Sequence, residues 1–177
     1  RIFIIYKKGY NMDKKELLGF ISRYSLGGNV ESVKWRSNKD SIITDLVSTD
    51  KTLKGTIKCT PTKGVFFNDK ELGIFETSQL VRMLSIMNDD INIHSSDTSL
   101  MISDTNTNFS FVLADLEVIP KVPSLKMTPS FTGTIKIDDN FISRFVKSHG
   151  ALPDTDFFTI ESDPISSSLT FGYAHTN

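Results

Sequence analysis

The chain has a single cysteine, Cys59, in 177 residues. That excludes an intramolecular disulfide and any multi-cysteine zinc site, and makes a reducing, intracellular compartment the default expectation. Neither sign of charge is in excess: 20 basic against 21 acidic residues leave a formal net charge of -1. A nucleic-acid role must therefore come from where charges lie, not from their sum. No apolar run approaches the roughly 20 residues that cross a bilayer. The N-terminal stretch Arg1–Tyr6 runs straight into Lys7 and Lys8, the reverse of the charge order of a signal peptide, so a soluble protein with no membrane contact is expected. Histidine is scarce too. His94, His149 and His175 lie far apart, and no H-x-x-x-H or H-E-x-x-H pair exists to seat a catalytic metal.

What is present reads as a β-rich chain with three separated helices. The first is expected from about Asp13 to Tyr24, stopped by Gly27-Gly28. Strand patterns follow at Val30–Arg36, Ser41–Ser48, Leu53–Cys59 and Leu72–Phe75, punctuated by turn formers. A second helix spans about Thr77–Met87 and exits through Asn88-Asp89-Asp90. Short strands are expected at Ile91–His94, Leu100–Ser103 and Phe109–Leu113. Three of the six prolines, Pro120, Pro123 and Pro129, then crowd one stretch, which excludes a central strand or a helix there. After it the order restarts: strand Thr132–Ile137, helix Asp138–His149, strands Phe157–Glu161 and Leu169–Tyr173. A repeated strand–helix–strand–strand order implies duplicated domains. The expected division is an N-terminal extension 1–11, a first domain 12–114, a Pro-rich connector 115–130 and a partial second domain 131–177. The extension is read from Arg1 standing first and Met12 opening the first helical pattern.

At about 100° per residue each helix sorts into two faces. Leu17, Phe20, Ile21 and Tyr24 gather on one side of the first, Leu80, Met83, Leu84 and Met87 on one side of the second, and Phe141, Ile142, Phe145 and Val146 on one side of the third. Opposite them lie small polar residues with Lys15, Arg23, Arg82, Arg144 and Lys147. Asp13, Glu16, Glu76, Asp138 and Asp139 sit at helix starts, where acids suit the dipole and can cap. A solvated helix face ordinarily mixes signs to gain i,i+4 pairs. The same basic bias three times over favours a surface that faces a polyanion, with contacts to phosphate that carry no sequence information.

The segment Leu72-Gly73-Ile74-Phe75-Glu76, Leu80 to Asp90 and Leu100-Met101-Ile102-Ser103-Asp104 resembles the DNA sliding clamps of T-even-type bacteriophages in its order of strand, helix, Asn-Asp-Asp turn and hairpin. Met12-Asp13-Lys14-Lys15 with Leu17-Leu18 and Phe20 is similar to the start of such clamps. Lys136-Ile137-Asp138 with Phe141-Ile142 and Phe145 is similar to the opening of their second domain. The resemblance covers about residues 12–173. It implies an α+β clamp fold, duplicated helix-backed antiparallel sheets with the helices on one inner face. It further implies a homotrimeric ring around duplex DNA, an ATP-driven loader, and a tethered replicative DNA polymerase, all in an infected bacterial cytoplasm. On this resemblance Lys15, Arg23, Arg82, Arg144 and Lys147 face DNA. Val118, Ile119, Val122 and Leu125 contribute to a groove for a partner peptide. A second domain of the family's length is longer than residues 131–177, so this stretch is expected to be incomplete and to associate weakly at most.

An enzyme is not expected, nor a cofactor or a metal. Asp89-Asp90, Asp138-Asp139 and Asp154-Thr155-Asp156 fall at helix boundaries and turns, where caps and turns account for them. Cys59 has no histidine beside it, and Gly27-Gly28 lacks the spacing of a phosphate loop. The alternative is a β-rich phage structural or assembly protein that never touches DNA.

Overall fold

The computed structural model describes residues 10–38, 40–62, 70–124, 130, 136–163 and 165–172. The chain divides into two compact units, one ending at Ser124 and the other beginning at Leu125. The first contains β1 (Tyr10–Asp13), α1 (Lys14–Ser25), β2 (Val33–Ser37), β3 (Ile42–Val47), β4 (Lys54–Cys59), β5 (Glu71–Ile74), α2 (Thr77–Ser85), β6 (Asp90–Ser95), β7 (Ser99–Ser103) and β8 (Asn108–Val112). The second contains α3 (Asp139–Ala151), β9 (Phe158–Ser162) and β10 (Ser167–Phe171).

In the first unit two antiparallel four-stranded sheets form, in the orders β4-β3-β2-β5 and β1-β6-β7-β8. Alternation explains β2 and β3: Val33, Trp35 and Ser37 on one, Ile42, Thr44 and Leu46 on the other, are buried while their neighbours are not. One apolar cluster draws on both sheets and both helices: Leu17, Phe20, Ile21 and Tyr24 from α1, Leu80 and Leu84 from α2, Trp35, Ile74, Ile93, Ile102 and Phe111 from strands. Its centre is aromatic, with the Phe20–Tyr24 and Phe20–Trp35 ring centroids 5.3 and 5.5 Å apart in edge-to-face geometry. The Tyr24 hydroxyl lies 3.2 Å from the Thr77 hydroxyl, linking α1 to the first residue of α2. Burial pushes the Tyr24 phenol well above its ordinary value, so it remains a neutral group in the core.

Two glycines answer backbone demands. Gly27, at φ 68°, follows the left-handed Leu26 and ends α1 through a short 3-10 turn. Gly73 pairs with Ala114, whose amide donates to its carbonyl at 2.9 Å. A Cβ on Gly73 would fall 2.3 Å from the Ala114 carbonyl oxygen, so only glycine lets this segment approach β5.

Three expectations need correction. Tyr10 and Asn11, expected in an extension, belong to β1 and pair with Ile93 and Asn92 of β6; the exposed edge of β6 takes a strand, and the helix starts at Lys14. The strand expected at Thr132–Ile137 is absent at Lys136 and Ile137, and residues 132–135 lie outside the described set. In the second unit, Phe145 packs at 5.0 and 5.1 Å from Phe158 and Phe171, but Ile142 and Val146, expected to face a core, are 50% and 62% exposed. Two described strands under α3 cover the Phe141–Phe145 ridge of its apolar stripe and leave the next ridge open.

Candidate nucleic-acid and peptide interfaces

Helices α1 and α2 turn their apolar stripes into the shared cluster, which fixes what they leave outside. Lys15, Ser22 and Arg23 on α1, and Ser78, Arg82 and Ser85 on α2, are exposed. Arg23 and Arg82 occupy last turns, where the helix dipole favours a cation. The two acids at the start of α1 are occupied. The Asp13 carboxylate caps α1 by accepting from the Lys15 amide at 2.7 Å, and Glu16 accepts from the Thr62 amide at 3.2 Å and from its hydroxyl.

The start of α2 departs from expectation. Glu76 makes no cap, because the sharp turn out of β5 puts it at φ 58°, not in the extended conformation from which a side chain reaches first-turn amides. Glu31 substitutes from the loop before β2: its carboxylate accepts from the Ser78 amide at 2.8 Å and its carbonyl from the Thr77 amide at 3.0 Å.

Lys15 is not a free cation. Its ammonium lies 3.0 Å from the Asp89 carboxylate, and Lys14 lies 3.6 Å from the same group. The Lys14 amide donates to the Asp89 carbonyl at 2.7 Å and the Lys14 ammonium to the Met87 carbonyl. The hydrogen bond from Lys15 holds the Asp89 carboxyl below its usual range, and Asp89 raises Lys15 in turn. This turn is itself braced, since the Asp104 carboxylate accepts from the Asn88 amide at 2.6 Å. Sequence periodicity missed Asp89, which comes from outside the helices. In the second unit Arg144 and Lys147 are exposed, and Arg144 borders a cavity of about 430 Å³ between α3 and β10.

The Pro-rich segment gives a different picture for each expected groove residue. Val118 is 64% exposed and Ile119 is buried. Val122 lines a cavity of about 370 Å³ together with Pro120, Val30, Leu46 and Val47. Leu125 lies outside the described residues. Among the described residues no helix is long and apolar enough to cross a membrane, and no group of three or more His, Cys, Asp or Glu could hold a metal.

No family model matches the chain, and no curated protein sequence does either. Solved structures do. PCNA of A. fulgidus, determined with the C-terminal region of FEN-1 bound, superposes with a TM-score of 0.63 at 12% identity over 92% of this chain and 70% of that one. The Helicobacter pylori beta clamp bound to a DNA ligase peptide gives 0.53 at 12% identity, over 66% of this chain and 34% of its own. The DNA polymerase III subunit beta of Pseudomonas aeruginosa gives 0.54 at 12% over 67% and 33%. The fold is that of the sliding clamps. This chain spans about a third of the length of those bacterial clamps.

Proposed function

We propose that the chain is part of a sliding clamp that encircles duplex DNA and tethers a replicative DNA polymerase, a binding role with no catalytic step. The observation that carries this reading is the likeness to a clamp fold along 92% of the chain. The exposed Arg23 and Arg82, on helices whose other faces are buried, supply the phosphate contacts such a ring needs. In this reading α1, α2 and α3 line the hole, the sheets lie outside, and Lys15, Arg23, Arg82, Arg144 and Lys147 meet the DNA backbone. The T-even phage type, the homotrimeric ring and the ATP-driven loader rest on the resemblance of residues 72–104. The cavity bordered by Pro120 and Val122 is the groove for the polymerase peptide, supported by the apolar strip that Val30, Leu46 and Val47 add beside them within a rim of polar residues such as Glu31, Asp45 and Lys51. The first clamp domain, expected at 12–114, takes in Tyr10 and Asn11 of β1 as well, with 115–130 the connector and 131–177 part of the second.

The test uses the intact protein that carries this chain. Replacing the five helix cations by alanine is expected to lower polymerase processivity on primed DNA and to flatten the salt dependence of duplex binding by about one log–log unit per lost contact. Alanine at Lys58 and Lys70, exposed on strand β4 and before β5, serves as the control. Processivity lost with the control pair and kept with the helix set would overturn the inner-face assignment.

A further inference from the structure

The Pro-rich segment that walls the 370 Å³ cavity has few means of holding itself in place. Pro120 and Pro123 carry no amide hydrogen, and the segment from 116 to 124 forms no strand or helix. One anchor is Ile119, which is buried. A second lies beyond the cavity wall: the ammonium of Lys54, at the start of β4, donates a hydrogen bond to the Pro123 carbonyl. Lys54 is also the cross-strand partner of Val47, and Val47 forms part of the opposite wall of the same cavity. Pro120 and Val122 thus lie between a buried side chain on one side and a tethered carbonyl on the other.

We propose that Lys54 is a positioning residue of this groove, a clasp that fixes the Pro120–Val122 wall at a set distance from Val47 so that an apolar peptide can be gripped between them. The inference rests on the peptide-groove reading for its function but not for its geometry. The carbonyl of a residue preceding no regular structure is a weak anchor in water. A charged donor strengthens it, and two anchors flanking Pro120, Lys121 and Val122 remove most of their freedom to move before a ligand arrives, which is the part of the binding cost that preorganisation saves. Lys58, on the same exposed face of β4 and with the same charge, provides the comparison that separates the clasp from simple electrostatics.

The experiment compares wild type, Lys54→Met, Lys54→Arg and Lys58→Met in the intact protein. The first readout is amide hydrogen exchange of Lys121, Val122 and Ser124 in the free protein. The second is the affinity of a fluorescein-labelled synthetic peptide of the FEN-1 C-terminal region, the partner segment bound in the A. fulgidus PCNA structure. Thermal unfolding midpoints check that all four are folded alike. Lys54→Met is expected to speed exchange in this segment and weaken the peptide about threefold to tenfold, the scale of one exposed charge-assisted hydrogen bond. Lys54→Arg, which keeps a donor, is expected to restore both, and Lys58→Met to change neither. Unchanged exchange in Lys54→Met, or equal effects of Lys58→Met, would overturn the clasp. Faster exchange in Lys54→Met with a wild type that binds no peptide would leave the clasp standing and overturn the peptide-groove reading instead.

Discussion

Lys15 and Asp89, one at the start of α1 and the other in the turn after α2, meet at 3.0 Å on an exposed surface. A carboxylate in this place does to Lys15 what a phosphate would do, so on the proposed inner-face reading DNA would have to compete with it. Asp89→Asn is therefore expected to tighten duplex binding and to steepen its dependence on salt, because one more cation becomes available for counterion exchange. Binding measured as a function of salt checks this. Weaker binding in Asp89→Asn would show that the pair positions Lys15 for DNA, not against it.

The same pair carries a pH signature. The folded-state pKa of Asp89 is depressed, first by the Lys15 hydrogen bond. Asp104 is depressed by the Asn88 and Asn106 amides, and Asp45 by the Thr56 hydroxyl. A depressed carboxylate stabilises the fold above its unfolded pKa, and that contribution is lost as pH falls through the folded value. Stability is expected to be flat near neutrality and to decline below the ordinary carboxylate range near pH 4. Lys15→Ala should move the Asp89 titration upward in an NMR pH series while leaving Asp45 unmoved.

Core substitutions should separate the two units. Leu80 is completely buried among α1, α2 and both sheets, and Leu80→Ala is expected to cost about 2–5 kcal/mol. Phe145 is only half-buried, so Phe145→Ala should cost less than a full core deletion. Gly73→Ala should be as damaging as Leu80→Ala despite its size, since its methyl would meet the Ala114 carbonyl. Urea unfolding of each variant measures all three, and a Gly73→Ala protein as stable as wild type would contradict the close approach.

These residues also mark what the sequence could tell. Helix α1 was legible because Leu17, Phe20, Ile21 and Tyr24 repeat at helical spacing and all four are buried. Strands β2 and β3 were legible from alternation. The exposure of Arg23 and Arg82 followed from the same periodicity, since whatever lies opposite a buried stripe faces out. Asp89 beside Lys15, Glu31 capping α2 and Lys54 on Pro123 were not legible, because each joins residues far apart along the chain and no local pattern encodes the meeting. Ile119 looked like Val118 and Val122 in sequence. Only the path of the backbone into Pro120 and on to Pro123 decides that it turns inward while Val122 faces the cavity. Ile142 and Val146 failed for the opposite reason. Their spacing on α3 is right, and the strands described beneath it cover one ridge of that stripe and not the other.

A ring holds DNA by enclosing it, so its retention must depend on whether the DNA has ends. The most direct measurement loads the intact protein onto nicked circular duplex, using the proposed ATP-driven loader, isolates the complex by gel filtration, and then cuts the circle once. The clamp account predicts that protein co-elutes with the circle and is lost after the single cut, because a sliding ring runs off an end. Equal retention on circle and linear DNA, or none on either, would contradict it.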